Sequence, residues 1–154
     1  MRDHFKEIQR IDSLWPLLIL AVTLVSNWIL YFRLHESNLE FFYISVSTAM
    51  LLSGILVMTK LTTRIDTDGI YFRLFPFQLR SRYIQWHEIA SVEVRNYKPI
   101  KEFGGWGLRW SRDGKAYSVR GNEGIQLTLK DKKRILIGTQ RPNEAKEVVE
   151  RLLP

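Results

Sequence analysis

The chain has 154 residues, of which 45% are hydrophobic and 25% charged, with a formal net charge of +7 and no cysteine. A chain without cysteine has no disulfide framework, no thiolate nucleophile and no zinc site built on sulfur. Its apolar residues are concentrated in two uncharged runs, and the roughly ninety-five residues left on the C-terminal side suffice for one modest core, which excludes a large two-domain enzyme.

Residues 1–12 read as a cytoplasmic tail without net charge, Arg2, Lys6 and Arg10 balancing Asp3, Glu7 and Asp12. The first apolar run, 13–32, is twenty residues long and carries Trp15 near one end and Trp28, Tyr31 and Phe32 near the other. About 20 apolar residues cross a bilayer core, and aromatic rings favour its boundaries. Pro16 falls in the first turn, where a missing N–H costs little. The run is longer than the apolar region of a cleaved signal and no small-x-small site follows it, so it is expected to be retained. The second run, 41–59, opens with Phe41-Phe42-Tyr43. Only eight residues, Arg33 to Glu40, join the two, which predicts a tight transmembrane helical hairpin over 13–59 turning near Glu36–Ser37.

Lys and Arg counts orient it. Three lie in the tail, Arg33 stands alone in the connection, and Lys60, Arg64, Arg73 and Arg80 follow the second run, so both termini are expected in the cytoplasm. Ser45, Ala49 and Ser53 recur at intervals of four, spacing that lets helix backbones approach closely. Asn27 is expected level with the Ser45–Ser47 turn, placed for an interhelical hydrogen bond. With no charge inside either run, these four residues read as helix packing rather than a transport path.

Beyond Lys60 the pattern changes to short alternating segments between turn residues. Strands are expected at 61–65, 70–75, 82–85, 90–96, 106–110, 115–119, 125–129 and 134–137, with the pairing near 106–119 open between two strands and one bent one. Asp68-Gly69 is a hairpin signal, because glycine accepts the positive φ of a tight turn. Residues 143–153 form an amphipathic helix with Asn143 as N-cap and Ala145, Val148, Val149, Leu152 and Leu153 as its apolar stripe. Residues 60–154 are thus expected to form a mainly-β domain, a seven- to eight-stranded bent barrel of antiparallel strands capped by a C-terminal helix.

The phrases Arg64-Ile-Asp-Thr-Asp-Gly69-Ile, Ile84-Gln-Trp-His-Glu-Ile89, Phe103-Gly-Gly-Trp-Gly-Leu-Arg109 and Gly124-Ile-Gln-Leu occur in an order of elements that resembles the pleckstrin-homology-like (PH-like) fold. More narrowly, the whole chain is similar to bacterial proteins in which a two-helix membrane hairpin precedes such a domain. The resemblance implies a multi-pass protein of the bacterial inner membrane and a non-catalytic, membrane-tethered module. It carries over no catalytic residue set. Phosphoinositide-binding members use basic residues in the first hairpin loop, where this chain has Asp66-Thr-Asp-Gly69.

The residues themselves point the same way. His4, His35 and His87 have no partner at metal-ligand spacing, and no G-x-S-x-G occurs. His87-Glu88 reads as a corner anchored by Trp86 and Ile89. Gly104-Gly105-Trp-Gly107 lacks the Gly-Lys-Ser/Thr ending of a phosphate loop and reads as a strand entry. No catalytic residue, metal or cofactor is therefore assigned. Aromatic and basic residues interleave at 71–73 and 106–110, but alternating strands give that pattern without nucleic acid.

Charge is more informative. Residues 60–154 hold nineteen Lys or Arg against eleven Asp or Glu, a net of +8. A domain tethered at residue 60 faces an anionic leaflet, where each basic side chain is worth about 1 kcal/mol. Lys130, Lys132, Lys133 and Arg134 in the last hairpin, with Lys98 and Lys101 in the long loop, are the candidate contacts for lipid headgroups or a protein partner. The expected function is a membrane-anchored binding or scaffolding module. The alternative is a small structural subunit assembled through the Ser45, Ala49 and Ser53 face.

Overall fold

The structure is a computed structural model that describes residues 4–11, 14–34, 39–112 and 114–152. The chain divides into two compact units, residues 11–59 and a second unit joining residues 1–10 to residues 60–154.

The first unit is a pair of helices, α1 (Leu14–Leu34) and α2 (Leu39–Met58). The stretch Glu40–Met58 of α2 is long and apolar enough to cross a membrane, with a mean hydropathy of 2.0; the apolar part of α1, Leu14–Leu30, is shorter. The expected turn near Glu36–Ser37 lies outside the described residues. Leu17, Leu18, Val22, Val25, Leu51 and Leu52 are all exposed, so the pair buries only a narrow seam.

The second unit holds nine strands among the described residues. One sheet runs β1 (Phe5–Arg10), β2 (Lys60–Ile65), β3 (Gly69–Phe75) and β4 (Arg82–Gln85) in that order. The other contains β5 (Ile89–Asn96), β6 (Gly107–Ser111), β7 (Gly114–Ser118), β8 (Glu123–Leu129) and β9 (Arg134–Gly138), in the order β5-β8-β9-β7-β6. A short helix, α3 (Pro99–Phe103), interrupts the long loop, and α4 (Pro142–Leu152) closes the chain.

The expected barrel is not closed: the two sheets share no strand pairing. Nor are all strands antiparallel, since β7 and β9 pair in parallel through Lys115–Ile135, Ala116–Leu136 and Tyr117–Ile137. The stretch 106–119 is two strands, β6 and β7, joined as a hairpin.

β1 stands where a tail was expected. It pairs antiparallel with β2 from Phe5–Ile65 to Arg10–Lys60, so the two helices are inserted in the connection between adjacent strands. The inward residues of β1 are Phe5, Glu7 and Gln9. Glu7 accepts hydrogen bonds from Thr139 Oγ1 at 2.7 Å and the Gln140 amide at 2.8 Å, and Gln9 Nε2 donates to the Gly138 carbonyl at 2.7 Å. A buried carboxylate with two donors avoids the penalty of an unsatisfied charge.

The core lies between the sheets. Leu61, Ile65, Ile70, Phe72 and Leu74 face Ile125, Leu127, Ile135 and Ile137, and the Phe72 and Tyr117 rings meet at 4.8 Å. β9 is buried on both faces, because Tyr97 and Phe103 cover Leu136 and Ala116 from outside. α4 packs Ala145, Val148 and Val149 inward, as its 3.6-residue stripe dictates; Leu153 lies outside the described residues.

Candidate functional site: a cationic groove at the open seam

Where β4 ends one sheet and β6 the other, the unclosed seam leaves a groove of about 630 Å³. Arg82 lines it from β4, Arg112 and Lys115 from the β6–β7 hairpin, Lys132 and Lys133 from the β8–β9 turn, and Arg134 from the start of β9. No acidic side chain is among its described lining residues. Trp110, 64% exposed, forms an aromatic wall, with Lys115 Nζ 5.9 Å from its ring centre.

Backbone geometry brings these segments together. Gly114 has φ +112°, and a Cβ there would sit 2.2 Å from the Arg134 carbonyl oxygen, so only glycine lets the β6–β7 turn approach the start of β9. The β8–β9 turn is closed by the Lys132 amide on the Leu129 carbonyl at 2.9 Å and the Leu129 amide on the Lys133 carbonyl at 2.8 Å. Lys132 adopts the left-handed conformation, φ 67°, which a tight two-strand turn demands.

Asp131 meets Lys133 at 2.7 Å, and that pairing holds the Asp131 carboxyl below its ordinary pKa. Arg82 Nη1 donates to the Tyr117 hydroxyl at 3.4 Å, a neutral partner. Cations gathered on low-dielectric walls focus a positive potential and concentrate anions.

The expected contact residues divide. Lys132, Lys133 and Arg134 line the groove, whereas Lys130 lies in the same turn without lining it, its amide on the Glu88 carbonyl at 2.9 Å. Lys98, just before α3, and Lys101, within it, are exposed and also lie outside the groove. The loop carrying them is pinned. Arg95 reaches Glu102 at 2.8 Å, Glu102 accepts the Lys98 amide at 2.7 Å, and Gly104 ends α3 at φ 73°. Arg95 holds the Glu102 carboxyl below its ordinary pKa. The glycine cluster thus caps a helix as well as entering β6.

Arg82, Trp110, Arg112 and Lys115 were not among the expected contacts. The convergence of the β6–β7 hairpin with the β8–β9 turn depends on the parallel β7–β9 pairing, which no hairpin signal announces.

A second cationic surface lies on the outer face of the β1–β4 sheet, a shallow cavity of about 350 Å³. There Lys60 and Arg73 flank the Phe75 ring at 5.8 and 5.5 Å, and Arg64 lies 5.9 Å from the Tyr71 ring. At the corner after β4, Trp86 Nε1 donates to the Asp66 carbonyl at 2.9 Å and Glu88 accepts the Gln85 amide at 3.0 Å, both structural bonds.

Within the helix pair, Ser45 Oγ donates to Asn27 Oδ1 at 2.6 Å, and Asn27 Nδ2 to the Thr23 carbonyl at 2.8 Å. Ser53 Oγ donates to the Pro16 carbonyl at 3.2 Å, and Ala49 is buried between them. The small-residue face of α2 is therefore engaged by α1 of the same chain.

No protein-family model matches the chain, and comparison with curated proteins likewise gives no match.

Proposed function

We propose that this protein is a membrane-anchored, non-catalytic binding module: α1 and α2 form a transmembrane hairpin, and the β domain presents its seam groove to anionic groups at the cytoplasmic face of the membrane. The observation that carries the membrane part is the β1–β2 pairing, Arg10 to Lys60, around two helices whose large apolar side chains are exposed. Each large apolar side chain left in water forgoes about 1.5–3 kcal/mol of burial, so an apolar surrounding such as lipid favours helices of this kind. Because β1 and β2 are hydrogen-bonded neighbours, a chain that enters the bilayer after β1 must return to the same side before β2. That agrees with the Lys and Arg distribution, which favours the cytoplasm for this side.

The groove supports the binding part. Six cations and an exposed tryptophan suit a phosphate-bearing surface, and the anionic inner leaflet is the nearest one to a domain tethered at residue 60. The succession of sheets followed by a terminal helix supports a PH-like ancestry, with the seam left open as the departure. Engagement of Ser45, Ala49 and Ser53 within the chain favours this reading over a structural-subunit role assembled through that face.

The test uses a variant in which residues 11–59 are replaced by an Asn-Gly turn, since Arg10 and Lys60 are register partners and a two-residue loop can join them. Flotation with anionic vesicles at low salt, lost at moderate salt and absent with neutral vesicles, supports the reading. Absence of binding to anionic vesicles at low salt would sink it.

A further inference from the structure

At one end of the β1–β4 sheet, Arg10, Lys60 and Phe75 stand in register across three strands. Lys60 follows the last residue of α2, Met58, by two positions, a reach of at most about 7 Å at about 3.3–3.6 Å per residue. From the same row Phe75 opens the β3–β4 loop, residues 76–81.

That loop exposes its apolar residues. Leu79 is 77% exposed, above any of the described exposed hydrophobics on the two helices, and Phe77 is 54% exposed. The backbone beneath them is not slack. The Gln78 amide donates to the Leu74 carbonyl at 2.7 Å, the Leu74 amide to Gln78 Oε1 at 3.0 Å, and Arg73 Nε to the Gln78 carbonyl at 3.2 Å. Turning Gln78 back onto β3 directs its neighbours away from the sheet. Arg80 follows Leu79, and two positions on is Arg82, the groove's residue on β4. A rigid loop with two outward apolar side chains, basic flanks and a covalent leash of a few residues has the chemistry of an interfacial anchor.

We infer that residues 76–81 insert into the bilayer that holds α1 and α2, with Phe77 and Leu79 at the boundary between headgroups and acyl chains and Arg80 and Lys60 at phosphate level. The inference rests on the hairpin reading above and adds a third attachment, which fixes the domain's orientation and brings Arg82 and the groove toward the headgroups.

The absence of natural cysteine permits single-site labelling of the full-length chain. Leu79→Cys, Leu52→Cys on α2 and Thr67→Cys in the β2–β3 turn each carry an environment-sensitive fluorophore, in vesicles containing anionic lipid and a shallow nitroxide lipid as quencher. Thr67 lies beyond the opposite end of β2 and β3 and serves as the aqueous reference. The expected result is quenching at 79 and at 52, each roughly threefold or more above that at 67, as burial of an apolar segment about 5–10 Å into the interface implies. Quenching at 52 with a label at 79 that behaves like 67 would overturn the inference while leaving the hairpin standing. No quenching at 52 would remove the hairpin and the inference together. Burial of the label at 79 without quenching would mean a protein partner covers the loop, and would also overturn it.

Discussion

Removing β1 should unfold the β domain, whereas removing the helices between β1 and β2 should not. Two variants separate these statements: one begins at Lys60, and the other keeps residues 4–10 and joins Arg10 to Lys60 through Asn-Gly. The first loses Phe5 from the core, worth about 2 kcal/mol. It also loses the two hydrogen bonds to Glu7, which is 6% exposed, at about 1.5 kcal/mol each for a charged acceptor. The Gln9 bond to Gly138 adds about 1 kcal/mol. Together these come to about 6 kcal/mol before the β2 edge is left unpaired, against a typical domain stability of about 5–15 kcal/mol. Urea unfolding followed by circular dichroism is the assay. The variant beginning at Lys60 is expected to be unfolded or barely folded without urea, and the Asn-Gly variant to unfold cooperatively. Midpoints that place the two within about 1 kcal/mol would refute the reasoning, because β1 would then be dispensable.

Three further outcomes follow from the groove and the long loop. Lys132→Asn removes one groove cation while placing at φ 67° a residue that tolerates the left-handed region, so vesicle binding should fall about fivefold, the equivalent of about 1 kcal/mol, with the urea midpoint unchanged or slightly raised. Gly114→Ala puts a methyl 2.2 Å from the Arg134 carbonyl oxygen and should cost about 2 kcal/mol or more of stability, measured in the same unfolding assay. Glu102 has its pKa held below 4.5 by Arg95, so its contribution is present above that value and is lost as pH falls through the lowered one; amide NMR shifts of α3 should titrate there and cease to do so in Glu102→Gln.

Alternation in the sequence located most of the C-terminal strands within a residue or two, because from β2 onward apolar side chains point inward and turn residues separate the segments. β1 was illegible for a physical reason. Its inward residues include Glu7 and Gln9, while Ile8 is 56% exposed, so the apolar pattern is inverted. The partners that make this tolerable, Gly138, Thr139 and Gln140, lie at the far end of the chain. The groove was half legible for a related reason. Lys132, Lys133 and Arg134 are a local cluster, but Arg82, Arg112 and Lys115 join them only through the unclosed seam and the parallel β7–β9 pairing. α3 was hidden in a loop whose proline and glycines read as irregular, and they turn out to be its first residue and its cap.

The central claim is that two membrane-crossing helices are looped out between hydrogen-bonded strands of one cytoplasmic domain. It is tested most directly with single cysteines at Ser37 and Thr67 of the full-length chain, probed in intact cells with a membrane-impermeant maleimide. Labelling at 37 from outside, with 67 labelled only after permeabilisation, is the expected result. Labelling of both positions only after permeabilisation would place the connection between the helices on the same side as the domain and contradict the account.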